Sequence, residues 1–201
     1  MIAIIDYDAG NIRNVENALH ALAEETVVTR EPETILRAER CILPGVGAFG
    51  DAMEKLHGFG LVPVLRQYAE SGKPFLGICL GLQLLFASSE ESAGVPGLGL
   101  LPGTVRRLPE TPGLKIPHIG WNDIRFPRES RLFDGIADGS YVYFVHSYYL
   151  QAGDESIVAA TTEYGTTVHA AVEKDNVFAC QFHPEKSGDV GMKILKNFCR
   201  L

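Results

Sequence analysis

The 201-residue sequence lacks a long apolar run: no stretch reaches the roughly 18 residues that a membrane-spanning helix needs. Its first residues, "MIAIIDYD", contain no basic segment, and their apolar run is too short for a secretory signal peptide. Clusters of lysine and arginine are also missing, and the net charge is −7 at pH 7. These absences argue against a membrane or nucleic-acid partner and predict a cytoplasmic protein.

Cysteine is scarce, and its spacing excludes two common uses. The chain has four cysteines and no C-x-x-C pair, so neither a disulfide framework nor a zinc site is expected. Cys180 and His183 have a spacing that could suggest metal ligands. Because no second ligand pair exists, a buried cysteine in a strand is the better interpretation of Cys180. The sequence therefore predicts no metal and no organic cofactor.

Strands and helices alternate in the first half of the chain. The length suits one domain over residues 1–201, with two small lobes as the alternative. Apolar or β-branched segments predict strands, and segments with helical spacing lie between them. The predicted strands are 1–6, 26–29, 41–44 and 74–78, and the predicted helices are 11–23, 32–37 and 50–70. The alternation indicates an α/β fold: an open, mostly parallel sheet with helices on both faces.

The second half of the chain has a different pattern. Short strand candidates separated by turn signals predict antiparallel additions to the sheet. They lie at 103–108, 117–125, 141–147, 157–161, 167–173 and 176–182, and a helix over about 188–200 follows. The segment "YDAGN" after the first strand predicts a turn.

Cys79 lies between two glycines in the segment "GICLG", after a predicted strand and before a predicted helix. This is the sequence context of a nucleophile elbow, a strained turn whose neighbours must be small. The dipole of the following helix favours the thiolate, and the Leu80 amide would face the reacting carbonyl oxygen. A buried structural cysteine explains these five residues equally well.

A reactive thiolate needs a histidine, and that histidine needs an orienting group. His183 ends the apolar strand "VFACQF", and Pro184 turns the chain so that Glu185 lies close to the imidazole. The other histidines fit less well: His20 and His57 suggest surface positions, and His169 has no carboxylate near it in sequence. His118 and His146 remain open, with a structural role favoured for the His146 side chain.

The segment "PGVGAFG", residues 44–50, is a glycine loop at the end of a predicted parallel strand. Backbone N–H groups at this edge of a sheet can form an oxyanion hole. A phosphate-binding loop is the competing interpretation. It fails because no G-K-[ST] is present and no G-x-G-x-x-G begins the first helix.

Together these segments resemble the class I (triad) glutamine amidotransferases. The elbow "GICLGLQLLF", the terminal "FHPE" and the glycine loop carry the resemblance. "DYDAGNIRNV", "LPGVGAFGDAM", "PHIGWN", "YFVHSYY" and "QFHPEKSG" make the chain most similar to the glutaminases of histidine biosynthesis. The motifs cover nearly the whole chain.

The resemblance implies roles for single residues. Cys79 would attack the glutamine amide and form a thioester, His183 would transfer protons, and Glu185 would orient His183. The remaining implied contacts are an oxyanion hole from Leu80, Val46 and Gly47, and substrate-binding positions at Gly45, Gln83, His146, Ser147 and Tyr148. In the family the glycine loop flips to present its N–H, so the resting subunit can be nearly inactive.

The resemblance also implies a partner. Ammonia would pass to a (β/α)₈-barrel cyclase, which makes imidazole glycerol phosphate and an aminoimidazole carboxamide ribonucleotide. Because the 201 residues hold no such barrel, we expect a separate cyclase chain and a heterodimer. The matching interface positions are Asn11, Asn14, Trp121, Tyr143 and Lys186, although a core tryptophan explains Trp121 equally well.

Three other functions remain open from sequence. One is the glutaminase of another pathway, such as pyridoxal phosphate or anthranilate synthesis. A second is a stand-alone cysteine hydrolase or peptidase, which would need no partner. The third is a binding module in which Cys79 is idle.

Overall fold

The computed structural model describes residues 1–8 and 11–201. Their strands are β1 (Ile2–Ile5), β2 (Thr26–Thr29), β3 (Arg40–Leu43), β4 (Phe75–Ile78), β5 (Ser88–Ser89), β6 (Gly103–Arg107), β7 (His118–Asp123), β8 (Tyr141–His146), β9 (Tyr148–Ala152), β10 (Val158–Glu163), β11 (Thr167–Lys174) and β12 (Val177–Cys180). Their α-helices are α1 (Ile12–Ala21), α2 (Pro32–Arg37), α3 (Phe49–Gly58), α4 (Leu61–Glu70), α5 (Leu80–Leu84) and α6 (Gly188–Phe198). Short 3₁₀ turns lie at Arg131–Phe133, Glu155–Ile157 and Pro184–Lys186.

A seven-stranded sheet in the order β10-β11-β12-β4-β3-β1-β2 forms the centre. The pairs β1–β2, β1–β3, β3–β4 and β4–β12 are parallel, and β10–β11 and β11–β12 are antiparallel. β1, β4 and β12 are buried along their whole length because both faces of the sheet are covered. The predicted open, mostly parallel sheet is confirmed.

The core lies on both faces of this sheet. Phe49 of α3 and Leu65 of α4 belong to a buried apolar cluster on one face. Leu19 of α1 and Phe198 of α6 belong to the cluster on the other face. The amphipathic spacing predicted from sequence thus places these helices as the outer layers.

Two predictions about the elements were wrong. The predicted helix over 50–70 is two helices, because Gly60 adopts a left-handed conformation (φ +68°) between α3 and α4. The predicted strand 176–182 ends at Cys180, so His183 follows the strand by three residues. β9 was not predicted, since it follows β8 after a single residue, Ser147, and the two read as one strand.

The second half of the chain does more than add strands to an edge. β12 joins the parallel core beside β4, whereas β6 pairs with β5 and β9 in a separate small sheet. β7 and β8 form an antiparallel two-stranded ribbon, called here the β7–β8 ribbon. These two small sheets carry residues that surround the site described below.

Within residues 1–8 and 11–201, no helix has the length and apolar character required to span a bilayer. In the same ranges, no group of three or more histidine, cysteine, aspartate or glutamate side chains is arranged to hold a metal ion. The turn predicted at "YDAGN" includes Ala9 and Gly10, which lie outside the described residues.

Candidate active site

Cys79 lies at the end of β4, immediately before α5, in a strained backbone conformation. Its φ is +56° and its ψ is −111°, a combination that non-glycine residues rarely adopt. Its N–H donates to the Cys180 carbonyl of the neighbouring strand β12 at 2.8 Å. The surrounding sheet therefore holds the strained turn in place, as a nucleophile elbow requires.

The two glycines beside Cys79 are required for steric reasons. A Cβ at Gly77 would lie 2.7 Å from the Gly81 carbonyl oxygen. A Cβ at Gly81 would lie 1.8 Å from the Leu43 carbonyl oxygen of β3. Both distances are far below van der Waals contact, so the turn can pack against β3 only with glycine at these positions.

His183 and Glu185 form a buried hydrogen-bonded pair. The distance from His183 Nδ1 to Glu185 Oε1 is 2.8 Å, and both side chains are almost completely buried. A carboxylate oxygen accepts, so Nδ1 carries the hydrogen and Nε2 is left for the chemistry. Among the described residues, Nε2 has no hydrogen-bond partner. Burial lowers the pKa of His183, but Cys79 and the Glu185 carboxylate outweigh it, so the pKa is raised overall.

The backbone of β8 positions this pair. The His183 N–H donates to the Tyr143 carbonyl at 2.9 Å. Ser187 Oγ donates to the His183 carbonyl at 2.6 Å and accepts from the Tyr143 N–H at 3.0 Å. His183 is thereby fixed to the β7–β8 ribbon through Tyr143.

A cavity of about 320 Å³ joins most of the predicted catalytic and substrate-binding residues, whereas Gly45 and Glu185 do not line it. The residues that line it are Val46, Gly47, Cys79, Leu80, Gln83, Glu91, Pro117, Val145, His146, Ser147, Tyr148 and His183. Residues separated by more than 100 positions in the chain thus surround one space. Its volume suits a small molecule.

The loop over residues 44–47 lies against Leu80, the first residue of α5. Gly45 packs closely, since a Cβ there would lie 2.5 Å from the Tyr7 hydroxyl oxygen. Its carbonyl accepts from the Leu80 N–H at 3.3 Å. Val46 is 42% exposed, and Gly47 has a φ of +100°. In this arrangement the Leu80 amide predicted for the oxyanion hole is engaged by the loop itself.

Gln83 lies on α5, and its amide nitrogen donates two hydrogen bonds. Gln83 Nε2 donates to the Tyr148 carbonyl at 3.0 Å and to Gln181 Oε1 at 3.0 Å. Gln181 Nε2 in turn lies 3.8 Å from Cys79 Sγ. Sequence reasoning gave Gln181 no role.

Glu91 is a second residue that sequence reasoning missed. It lies after β5 and lines the cavity, and its Oε2 accepts from the Phe49 N–H at the start of α3 at 2.8 Å. It lies in "SSEES", where no spacing links a carboxylate to the elbow. Only the chain fold reveals its position.

The His146 side chain is buried at the edge of the cavity. Its Nε2 lies 3.0 Å from His118 Nδ1, and its Nδ1 lies 3.0 Å from the Tyr148 carbonyl oxygen. Burial lowers the pKa of His146 to about 3 and that of His118 to about 4, so both rings are neutral. Both ring nitrogens of His146 are thus engaged by other groups of the protein.

Three of the predicted interface residues lie together beside the 3₁₀ turn that carries Glu185. Trp121 is 55% exposed and stands edge-on to the Tyr143 ring, with centroids 6.1 Å apart. Lys186 Nζ lies 6.0 Å from the centroid of that ring. The competing interpretation of Trp121 as a core residue is therefore wrong. Ile119 and Tyr141 on the same ribbon are also exposed, and sequence reasoning missed both.

Asn11 and Asn14 are exposed at the start of α1, and α1 contacts the 3₁₀ turn at Pro184–Lys186. All five predicted interface positions are therefore on elements close to the catalytic turn. Exposed aromatic side chains next to a site are typical of protein–protein contacts.

The family described as "Glutamine amidotransferase class-I" matches residues 3–201. Similar relatives bear the name "Imidazole glycerol phosphate synthase subunit HisH", and three of them illustrate the match. The one from Bacillus cereus (strain G9842) is 57% identical over 198 residues, which cover 98% of this chain and 93% of the relative. The relative from Moorella thermoacetica is 54% identical over 200 residues, which cover 100% of this chain and 94% of the relative. The relative from Methanothermobacter thermautotrophicus is 50% identical over 201 residues, which cover 100% of this chain and 98% of the relative.

Solved structures share the fold at low sequence identity. A glutamine amidotransferase crystal structure has a TM-score of 0.76 at 21% identity, with 99% of this chain and 100% of the other covered. PurLQS from Thermotoga maritima has a TM-score of 0.71 at 21% identity, with 99% and 97% covered. At these identities the likeness concerns the fold alone.

Proposed function

Because this chain belongs to the class I glutamine amidotransferase family, we propose that it hydrolyses glutamine to glutamate and ammonia with Cys79, His183 and Glu185. It is the glutaminase subunit of an imidazole glycerol phosphate synthase in histidine biosynthesis, as the names of relatives at 50% to 57% identity indicate. The observation that carries the chemistry is the cavity that a strained Cys79 and the oriented His183 both line. One amidotransferase domain would occupy residues 1–201.

The reaction follows from these groups. His183 Nε2 takes the proton of the Cys79 thiol, and the resulting thiolate attacks the side-chain amide carbon, whose carbonyl oxygen becomes an oxyanion. When the C–N bond breaks, His183 Nε2 gives a proton to the leaving nitrogen, which departs as ammonia and leaves a thioester. Water then loses a proton to His183 and attacks the thioester, so the C–S bond breaks and glutamate is released. Glu185 keeps the ring in the Nδ1–H tautomer throughout.

The oxyanion hole would need a rearrangement of the loop at residues 45–47. The Leu80 N–H now donates to the Gly45 carbonyl. If that carbonyl moves away, the Leu80 amide and an amide of Val46 or Gly47 can both donate to the oxyanion. The exposure of Val46 and the positive φ of Gly47 favour such a movement. The subunit would then be poorly active until the loop changes.

The polar end of glutamine would bind on the opposite side of the cavity. Ser147 and Tyr148 line it with backbone groups that can hold the α-carboxylate and α-amino group. Gln83 also lines it, with its amide nitrogen engaged and its orientation therefore fixed. Gly45 does not line the cavity and would influence the substrate only through its close approach to Leu80.

The relatives are named as subunits of a synthase, so this chain is expected to work with a partner subunit. We assign that partner to a (β/α)₈-barrel cyclase in a heterodimer. The cyclase would use the ammonia to make imidazole glycerol phosphate and aminoimidazole carboxamide ribonucleotide. Trp121, Tyr143, Lys186, Asn11 and Asn14 would contact the barrel. The cytosol keeps thiol nucleophiles reduced, and we propose that the pair works there.

The test is the release of glutamate from glutamine by the purified chain, alone and then with the cyclase and its nucleotide ligand. Strong stimulation by the complete pair would support both the assignment and the loop rearrangement. Full activity of the chain alone would indicate a self-sufficient hydrolase and would remove the role given to the interface residues. No activity in either case would overturn the assignment.

A further inference from the structure

Two buried histidines face each other beside the cavity, and the steps proposed above use neither imidazole. His118 on β7 and His146 on β8 are directly opposite in the register of the β7–β8 ribbon. His118 Nδ1 lies 3.0 Å from His146 Nε2, and both residues are buried. One of the two nitrogens must donate and the other accept.

The contact between His146 and the Tyr148 carbonyl determines the direction of this hydrogen bond. His146 Nδ1 lies 3.0 Å from the Tyr148 carbonyl oxygen, which can only accept, so Nδ1 carries the hydrogen. The buried ring is neutral, and its Nε2 is therefore an acceptor. His118 must donate to it through Nδ1.

The contact between Asn122 and His118 leads independently to the same assignment of the hydrogen positions. Asn122 Nδ2 donates to the Glu163 carbonyl at 3.0 Å and lies 3.5 Å from His118 Nε2. Asn122 Oδ1 accepts from the Asp123 N–H at 3.0 Å, which fixes the amide orientation. A donor on Asn122 matches an acceptor at His118 Nε2, the tautomer that the inner end requires. We call Asn122, His118 and His146 the histidine relay.

The relay ends on the backbone carbonyl of Tyr148, which the neighbouring strand leaves free. Tyr148 is opposite Arg107, and the Leu108 N–H donates to the Ser147 carbonyl at 2.9 Å. Arg107 and Tyr148 are thus a non-hydrogen-bonded pair, so the Tyr148 carbonyl and N–H both point away from β6. Gln83 and His146 donate to that carbonyl and occupy both of its lone pairs.

We propose that His118 is a positioning residue: it fixes the tautomer of His146, which holds the Tyr148 carbonyl and so directs the Tyr148 N–H toward the α-carboxylate of bound glutamine. The relay acts on substrate binding rather than on bond breaking, because among the described residues no hydrogen bond joins its three side chains to Cys79 or His183. Its effect on glutamine binding rests on the proposed function, whereas the hydrogen-bond directions within the relay do not depend on that function.

The first test is nitrogen NMR of the wild-type chain with labelled histidine, which needs no enzymatic activity. We expect neutral His118 and His146 rings, each with its hydrogen on Nδ1. His169 is an internal reference with the opposite tautomer, because its Nδ1 accepts from the Ala152 N–H at 3.0 Å. A hydrogen on Nε2 of His146, or a charged His118 at neutral pH, would overturn the relay.

The second test is glutaminase kinetics of two His118 variants in complex with the cyclase. His118→Phe keeps a ring between Phe144 and Tyr164, whose centroids lie 4.8 Å and 3.9 Å from that of His118, but it removes the donor. His118→Asn places an amide N–H close to the Nδ1 position. We expect His118→Phe to raise KM for glutamine about tenfold with little change in kcat. His118→Asn should bring KM most of the way back to the wild-type value.

The outcomes separate the two proposals. An unchanged KM in His118→Phe, or equal defects in both variants with an intact fold by circular dichroism, would overturn the positioning role. If His118→Phe does not fold, the wild-type NMR result still decides the relay. A wild-type complex that shows the predicted tautomers but does not hydrolyse glutamine would overturn the proposed function and leave the relay standing.

Discussion

The Cys79 elbow and the loop at residues 45–47 follow neighbouring parallel strands, and both depend on glycine, yet they differ in how firmly they are held. The elbow is buried, and backbone contacts to β3 and β12 surround it. The loop is partly exposed at Val46, and a Cβ on Gly47 would meet nothing within 4 Å. The fold therefore fixes Cys79 in advance and leaves the loop adjustable, which would be a physical basis for the partner-dependent activity proposed above.

The largest effect should come from the nucleophile. Cys79→Ala should lower partner-supported glutamate release by at least about 10³-fold, because no other group can form the thioester. Cys199→Ala is the matched control, since both cysteines are 7% exposed and Cys199 lies at the end of α6, away from the cavity. Glutamate release by Cys79→Ala close to that of the control would contradict the mechanism.

Glu185→Gln tests whether the Glu185 carboxylate orients the His183 imidazole. We expect a loss of about 10²- to 10³-fold in kcat, because the amide no longer stabilises the charged imidazole. The measurement is glutamate release over a range of pH, with wild type alongside. A kcat within about threefold of wild type would show that Glu185 does not orient His183.

The same variant should change the pH dependence of stability. The pKa of His183 is raised in the folded chain above its ordinary value of 6.5. Protonated His183 therefore stabilises the fold below pH 6.5, and this contribution disappears as pH rises through the folded-state pKa. Urea unfolding of Glu185→Gln should show a flatter fall in unfolding free energy above pH 6.5. Identical curves for variant and wild type would contradict the origin assigned to the shift.

Gly81→Ala measures how rigid the elbow is. The added Cβ would lie 1.8 Å from the Leu43 carbonyl oxygen, so β3 or α5 must move. We expect the unfolding free energy to fall by about 3 kcal/mol in urea titrations. A fall in unfolding free energy of less than about 1 kcal/mol would mean that the backbone at the elbow can move as readily as that of the loop.

Gly47→Ala should have the smallest effect and completes the comparison. Its Cβ meets no neighbour, so only the positive φ is penalised, and we expect a loss of about 1 kcal/mol in unfolding free energy. Gly58→Ala in α3 also meets no neighbour but lacks the positive φ, and it should not destabilise the chain. A loss at Gly47 as large as that at Gly81 would remove the distinction between loop and elbow.

Much of the candidate site could be predicted because its signals are local. Cys79 stands between its two glycines, and Glu185 follows His183 by two residues. Gln181, Glu91 and His118 could not be given roles, since their hydrogen bonds join residues 28 to 102 positions apart. Spacing along a strand or helix carries no information about contacts at that distance.

The sequence by itself determined the alternation of strands and helices, the elbow, the His183–Glu185 turn and the family. These follow from short-range rules of apolar spacing, turn chemistry and steric space. Only the tertiary structure decided that β12 joins the parallel core beside β4, that the Gly45 carbonyl engages the Leu80 amide, and that two histidines end on the Tyr148 peptide. The reason is that strand order and long-range hydrogen bonds depend on the packing of the whole chain, which no local pattern encodes.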